Sequence, residues 1–442
     1  MFFEYSLPEQ APSYLDPARR DEFETTTARI EARMNLLENG LTLSGLSGEV
    51  FSIALSRVFS PEDETPALDT MAASDIAALA KALSVGLTAE PRLTWRNAVT
   101  VVDTAFVTRK EWETLRMMGI GGSDAAVVQE ISPYRALQEL YHDKCGTVFE
   151  RPEEPNPGKD FIFTYGRRME DLVIEQFCRQ TGCQRIRETR MFRRKDLPFV
   201  AANIDAIVRF PDGRLAVFEA KTTSRFNKSA WENHSCPPHY EPQCRQYMAV
   251  LDDPRINEVY IGCIYGNAVS DFVVGRVPRD QKEEQILLEE ECFFWEEYVE
   301  IGEEPPAGNS ASKAASLLTK KIGLINPLSK DVAIPLQDDC VPALRQYLTL
   351  REQRRELERQ VKALKEQEIG AYLPIAEAMG KNVCASLRLD GAAYEIRYAP
   401  TRQRQTDLQK LELAYPEAFA DCVRVSDSAE RRFEVKEQKK FE

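Results

Sequence analysis

The clearest alternation of apolar and polar positions lies in the middle of the chain, where the period changes from helical to strand-like. Residues 165–182, YGRRMEDLVIEQFCRQTG, place Met169, Leu172, Val173 and Phe177 at helical spacing. A glycine closes this run, so the pattern predicts an amphipathic helix that ends there. The apolar runs that follow are shorter and rich in β-branched and aromatic residues, which is typical of strands.

Two of those strand-like runs, residues 199–210 and 214–223, flank a Pro-Asp-Gly turn and predict a β-hairpin. Residues 239–252 then predict a second helix, and residues 258–267 and 270–277 predict further strands. Helices and strands that alternate in this way indicate an α/β fold. We expect a mixed central sheet flanked by helices.

A glycine-rich turn precedes the predicted sheet, within a segment at 108–146 whose pattern is helix, turn, helix, turn, helix. Ser123 or Asp124 would cap the helix that follows the glycines. Backbone N–H groups at such a helix start favour an anion. The turn is therefore a candidate anion-binding loop, although the same sequence also suits a plain helix start.

The patterning divides the chain into three parts. Residues 1–100 predict helices and loops without a motif, residues 104–305 hold the α/β pattern, and residues 311–442 change character again. A strongly acidic helix is predicted over 280–304, near the end of the middle part. We expect this helix to dock on the core with a solvated charged face.

The last part has a helical pattern in which Leu350, Leu357 and Leu364 recur at heptad spacing, with Val361 between them. So few repeats suit an antiparallel helical hairpin and a coiled-coil dimer equally well. An Asp-Gly pair at 390–391 between two strand-like runs predicts a β-hairpin. We expect an α+β module made of a helical hairpin and a β-hairpin.

Composition and charge narrow the class of protein. With 43% hydrophobic and 29% charged residues, the chain is typical of soluble globular proteins, and no run approaches the roughly 20 apolar residues of a membrane span. The start of the chain lacks a signal-peptide pattern, so we expect a cytoplasmic protein. Residues 161–250 hold 15 Lys and Arg against 10 Asp and Glu, whereas the whole chain has a net charge of −14. A locally basic module in an acidic chain can hold a polyanion.

The predicted hairpin carries the strongest candidate for catalytic chemistry. Glu219 and Lys221 are two residues apart on one strand and share a face, and Asp205 on the other strand can meet them. Two carboxylates and the backbone carbonyl of Ala220 make a hard oxygen site that suits Mg²⁺ or Mn²⁺, and a second ion would complete a clamp on a phosphodiester. Lys221 would orient and help deprotonate the attacking water, or stabilise developing charge. Glu170 on the preceding helix is the candidate additional carboxylate.

Four motifs in a fixed order, spanning roughly residues 104–300, resemble the YqaJ-type viral recombinases. They are GIGGSDAA with SPYRALQELYHDKCG, YGRRMEDLVIEQF, PFVAANIDAIV with LAVFEAKTT, and HYEPQCRQYMAV. This family is close to the phage lambda exonuclease within the PD-(D/E)XK nuclease superfamily. The resemblance implies a restriction-endonuclease-like core and a Mg²⁺-dependent, processive exonuclease that degrades one strand of linear duplex DNA from 5′ to 3′. It also implies phage-type recombination, transfer of the remaining strand to a single-strand annealing protein, and often a ring-shaped homo-oligomer.

The resemblance also assigns residues. Asp205 and Glu219 match the metal-binding carboxylates, and Lys221 matches the catalytic lysine. Ala220 supplies the carbonyl ligand, and Glu170 matches the helix glutamate near the metals.

Further matches surround this set. Gln243 matches a glutamine that supports the nucleophile or the catalytic lysine, and Arg116 matches an arginine near the scissile phosphate. Ser123 matches the serine of a 5′-phosphate pocket, with Arg135 as its basic partner. The chain departs from the common motif at Ile204, where the family usually has proline.

Two alternatives remain open at this stage. The same fold and chemistry could serve an endonuclease of a defence or repair system, targeted by the flanking parts of the chain. The chain could also be a catalytically silent DNA-binding or assembly protein, because an acidic and a basic residue on a strand are commonly a solvated salt bridge. The complete Asp205, Glu219 and Lys221 set argues against the silent form, and a circular substrate separates the other two.

Overall fold

The computed structural model of this chain describes residues 5–48, 50–52, 68–85, 92–149, 157–234, 236–306, 317–318, 321, 334–390, 392–399, 413–417 and 419. The chain separates into two compact units, Met1–Leu324 and Ile325–Glu442. No helix among the described residues combines the length and apolar character that a membrane crossing needs.

The secondary structure of the first unit begins and ends as follows. Its helices are α1 (Pro17–Ser44), α2 (Ala73–Leu83), α3 (Arg109–Arg116), α4 (Gly122–Val128), α5 (Leu137–Lys144), α6 (Pro157–Thr181), α7 (Glu241–Leu251) and α8 (Gln281–Phe294), which continues as a π-helical turn over Trp295–Glu300. Its strands are β1 (Ala98–Asp103), β2 (Gln184–Ile186), β3 (Arg190–Arg194), β4 (Ala201–Asn203), β5 (Ala206–Arg209), β6 (Leu215–Thr222), β7 (Ile256–Ile264) and β8 (Phe272–Pro278).

A five-stranded mixed sheet forms the centre of this unit, in the order β2-β5-β6-β7-β8. β6 and β7 run parallel, because the chain crosses from one to the other through α7, and the remaining neighbours are antiparallel. The predicted Pro-Asp-Gly hairpin joins β5 to β6, and Gly213 adopts a φ of +87° in its turn. The predicted mixed α/β sheet is thus confirmed.

β6 is buried on both faces, which fixes the position of the residues at its end. Val217 packs in a core cluster with Met248 of α7. Phe218 packs on the opposite side against Phe177 of α6, with ring centroids 4.6 Å apart. Helices therefore cover both faces of the sheet, as expected for a layered α/β unit.

The predicted helix at 165–182 forms, but it begins earlier, at Pro157. Val173 and Phe177 face the core as expected, whereas Leu172 is 45% exposed. Gly182 ends the helix with a φ of +72°, the left-handed conformation that glycine favours.

The first hundred residues are not a separate segment, which corrects the predicted division at 100. β1 pairs with β3 in a second sheet of order β1-β3-β4. The buried Arg33 of α1 donates to both carboxylate oxygens of Glu111 on α3, at 2.8 and 2.9 Å, and also pairs with Asp69. A local pattern cannot reveal such long-range pairing. The first compact unit spans Met1–Leu324, whereas the pattern predicted one part at 1–100 and another at 104–305.

The acidic helix docks as predicted, but its charged residues are not all solvated. Leu287 and Phe294 are buried, and so are Glu284 and Glu291. Glu284 Oε2 accepts a hydrogen bond from Arg279 at 3.1 Å. Burial raises the pKa of Glu291 well above its usual range.

In the second unit, helix α9 (Val341–Met379) precedes the antiparallel strands β9 (Cys384–Leu389) and β10 (Ala392–Arg397). The β-hairpin is therefore present. The predicted helical hairpin is wrong, because 39 residues form one continuous helix. Residues 344–369 are rich in strong helix formers, and the helix continues through Gly370 and Pro374 without a turn. The coiled-coil dimer remains a prediction.

Candidate active site

Glu219 lies at the centre of a buried polar cluster where β6 leaves the core. Its side chain is only 2% exposed. Oε1 accepts hydrogen bonds from Lys221 Nζ at 2.5 Å and from Gln243 Nε2 at 2.7 Å. Oε2 accepts a hydrogen bond from the Tyr247 hydroxyl at 2.8 Å. Three donors therefore fix both oxygens of this carboxylate.

Two further carboxyl groups face Glu219. Asp205, just before β5, accepts the Ala220 N–H at 2.8 Å through Oδ2. Burial raises the pKa of Asp205 well above its usual range, and the charges of Glu219 and Glu170 raise it further. Burial likewise raises the pKa of Glu170 to about 7, with a smaller contribution from Glu219. The three acids crowd one another, and such crowding is typical of a functional site.

Lys221 is the cation within this cluster. Burial opposes its charge, but the carboxylates of Glu219 and Asp205 outweigh burial and raise the pKa of Lys221. The ring of Tyr240 lies 5.1 Å from its Nζ, close enough for a cation–π contact. Lys221 is therefore an ammonium group in this arrangement, suited to stabilising negative charge.

The donor chemistry of the cluster fits a hard divalent cation. Asp205, Glu219 and Glu170 offer carboxylate oxygens. Burial, and to a smaller degree the charge of Glu219, raises the pKa of Asp205 and of Glu170, and a bound cation would oppose both effects. Within the described part of the chain, however, no three His, Cys, Asp or Glu side chains are already arranged to enclose an ion. Glu219 would exchange a protein donor for a metal when an ion binds.

A second polar group surrounds the start of α4. Asp124, which is 1% exposed, accepts hydrogen bonds from Arg116 at 2.9 Å, Lys144 at 2.7 Å and Arg135 at 3.3 Å. Arg116 also donates to Ser123 Oγ at 3.1 Å. Burial would raise the pKa of Asp124, but the three cations hold it well below its usual range. Arg135 also pairs with Asp143, so three cations and two carboxylates leave a net charge of about +1 beside Ser123.

The two groups are neighbours because α4 packs closely on α7. A Cβ placed on Gly122 would lie 2.7 Å from a ring carbon of Tyr247 and 3.3 Å from Gln243 Cγ. Only a residue without a side chain allows this approach. The structure thus places two groups of the selected residues side by side: Asp205, Glu219, Lys221, Glu170 and Gln243 in one, and Arg116, Ser123 and Arg135 in the other.

Sequence reasoning missed several members of this site. Tyr247 follows Gln243 by four residues on a predicted helix, so its position on the same helical face was available as a signal. Asp124 was considered only as the capping residue, but the helix is capped by Gly121, and Asp124 lies inside the first turn and accepts the Gly121 N–H at 3.1 Å. Lys144 and Tyr240 carry no sequence signal, because their partners are distant in the chain.

Comparisons with known proteins match this region. Residues 111–253 match the model of the YqaJ-like viral recombinase domain. A Bacillus subtilis (strain 168) protein, the uncharacterized protein YqaJ, is 28% identical over 347 residues, which cover 78% of this chain and 99% of that protein. Two solved structures are also similar: an alkaline exonuclease (LHK-Exo) from Laribacter hongkongensis and LHK-Exo in complex with dAMP. Each is 18% identical and covers 47% of this chain and 99% of its own, with TM-scores of 0.35 and 0.36.

Proposed function

Because this chain carries a YqaJ-like viral recombinase domain over residues 111–253, as its motifs predict, we propose that it is a metal-dependent deoxyribonuclease with a PD-(D/E)XK core. We propose further that it is an exonuclease that degrades linear duplex DNA from 5′ to 3′. The observation that carries the proposal is the buried Glu219, held by Lys221, Gln243 and Tyr247 beside Asp205.

Asp205, Glu219, Glu170 and the Ala220 carbonyl would hold two Mg²⁺ or Mn²⁺ ions. When bound, such ions supply Lewis-acid stabilisation of a phosphodiester and lower the pKa of bound water.

The remaining chemistry belongs to side chains of this chain. The Lys221 ammonium stabilises the negative charge that develops on the phosphoryl oxygens as water attacks phosphorus. Gln243 and Tyr247 hold the Glu219 carboxylate in one orientation, which keeps Lys221 in place. Without a bound metal, the carboxylates of Glu219 and Asp205 raise the pKa of Lys221 and favour its ammonium form.

End selection would come from the positive site beside α4. Arg116 and Ser123 present a guanidinium and a hydroxyl next to the catalytic cluster. A 5′-phosphate bound there would place the terminal nucleotide next to Glu219 and Lys221. We therefore expect a preference for phosphorylated 5′ ends, since a guanidinium binds a phosphate through charge-assisted hydrogen bonds.

Digestion of end-labelled linear duplex DNA with Mg²⁺ tests this function, with 5′-phosphate and 5′-hydroxyl ends compared. We expect loss of one strand from its 5′ end, faster for the phosphorylated end, and an intact closed circle. Cleavage of the circle would instead identify an endonuclease. Binding without cleavage of any substrate would identify a non-enzymatic DNA-binding protein.

Metal binding is expected to depend on pH. Without metal, folded Glu170 keeps its proton up to about pH 7, whereas an ordinary glutamate loses it near 4.5, so this group's contribution to stability falls as pH rises between these values. Mg²⁺ must displace that proton, and its stabilising effect should therefore be larger at about pH 8 than at about pH 6. Melting temperatures with and without Mg²⁺ at both values measure the effect. An equal shift at both values would contradict the assignment of Glu170, and Glu170→Gln should reduce the difference.

From the family resemblance we also propose duplex DNA ends as the partner, a single-strand annealing protein as the recipient of the remaining strand, and a ring-shaped homo-oligomer. Light scattering coupled to size-exclusion chromatography measures the oligomer. A monomer at micromolar concentration would contradict the ring.

A further inference from the structure

A polar pocket apart from the candidate active site lies at the end of the three-stranded sheet, where β1 begins and β3 ends. Its volume is about 650 Å³, within the range of small-ligand pockets. Ala98 pairs with Arg194 at this end of the sheet, and the N-terminal residues Tyr5 and Ser6 form part of the wall. The pocket shares no residue with the groups around Glu219 or Ser123.

The lining of this pocket is strongly biased in charge. None of the described lining residues is acidic. Four of them are cations: Arg190, Arg193, Arg194 and Lys195. This bias is unexpected in a chain with a net charge of −14. A local excess of positive potential attracts anions.

Two of the four cations are neutralised from outside the pocket. Arg190 pairs with Glu188 at 2.6 Å, and Arg194 pairs with Asp196 at 2.8 Å. These pairs hold the two guanidinium groups in place. They contribute little net charge to a ligand.

The other two cations have no carboxylate partner among the described residues. Arg193 donates to the Ser6 hydroxyl, a neutral acceptor, at 2.5 Å. Lys195 Nζ donates to the Arg96 carbonyl at 3.2 Å. Burial lowers the pKa of Arg193, as expected for a guanidinium without a carboxylate beside it. About two positive charges are therefore available to a ligand.

An aromatic residue lines the same pocket. Trp95 is 7% exposed, and its indole Nε1 is enclosed by protein atoms. The small exposed part of the ring, and not the N–H, therefore faces the pocket. The hydroxyls of Ser6 and Thr100 and the ring of Tyr5 complete a lining of donors and aromatic surface.

We propose that this pocket binds a nucleotide, with its phosphate on Arg193 and Lys195 and its base and sugar along Tyr5 and Trp95. Guanidinium and ammonium groups are the usual hydrogen-bond donors to a phosphate, and a wall without carboxylates does not repel the phosphate charge. The nucleotide is either free or part of a DNA strand, because both present the same phosphate. The site goes beyond the proposed cleavage reaction and does not depend on it.

Calorimetric titration of the full-length protein in EDTA, where no turnover is expected, tests the pocket. The probes are dAMP, inorganic phosphate and a short single-stranded oligonucleotide. Arg193→Gln should weaken binding by at least about tenfold, because a charged hydrogen bond is lost. Lys195→Gln should weaken it by a smaller factor. Lys282→Gln, at an exposed lysine of α8, is the matched control and should leave binding unchanged.

The probes separate the two sources of the nucleotide. Arg193-dependent binding of dAMP and phosphate identifies a free nucleotide, and Arg193-dependent binding of the oligonucleotide alone identifies a strand. Arg116→Gln reports binding at the Ser123 site and should leave the Arg193-dependent component intact. If loss of the Ser6 contact unfolds Arg193→Gln, the probe affinities of Lys195→Gln and Lys282→Gln are compared instead, and the proposal requires weaker binding by Lys195→Gln alone. The proposal would be overturned if neither Arg193→Gln nor Lys195→Gln weakens the binding of any of the three probes.

Discussion

Replacement of Lys221 by alanine is expected to reduce DNA cleavage by at least about 10³-fold and to leave DNA binding within a few-fold. Lys221 Nζ lies 2.5 Å from Glu219 Oε1 and carries the ammonium charge closest to the candidate catalytic carboxylates. Binding should persist, because the cations around Ser123 are untouched. Cleavage rates on end-labelled duplex DNA and a filter-binding assay in EDTA measure the two effects.

Lys282→Ala on the exposed face of α8 is the matched control and should cleave at the wild-type rate. If Lys221→Ala also cleaves at that rate, the assignment of the active site is wrong. Loss of binding together with cleavage would instead place Lys221 in the DNA-binding surface.

Replacement of Arg33 by methionine is expected to lower the free energy of unfolding by about 3–5 kcal/mol, because it leaves a buried carboxylate without its partner. The Arg33 side chain is 3% exposed, and that of Glu111 is 5% exposed. Glu111 also accepts the Thr108 N–H at the start of α3, the helix that ends at Arg116. The pair therefore anchors the helix that carries a proposed DNA-binding residue.

Urea denaturation of Arg33→Met and Arg29→Met compares a buried with an exposed arginine on the same helix. Arg29→Met should change the free energy of unfolding by less than about 0.5 kcal/mol. Equal effects of the two variants would show that the Arg33–Glu111 pair does not stabilise the unit. If Arg33→Met loses the preference for 5′-phosphate ends but keeps the wild-type free energy of unfolding, Arg33 has a direct role in positioning Arg116.

The parts of the site that sequence predicted share a local cause. The β5–β6 hairpin follows from a turn sequence between two strand-like runs, and the two-residue period then places Glu219 and Lys221 on one face. The interpretation of residues 280–304 failed in part for the opposite reason. Glu284 and Glu291 resemble surface residues by composition, and only the packing of α8 buries them.

The helix α6, the β5–β6 hairpin and the order of the motifs could be predicted from sequence, because periodicity and turn chemistry act within a few residues. The pairing of Asp124 with Lys144 and of Arg33 with Glu111 became visible only in the folded unit. The same is true of the basic pocket that the N-terminal residues help to enclose. These contacts join residues from distant parts of the chain, and packing selects such partners after the local elements have formed.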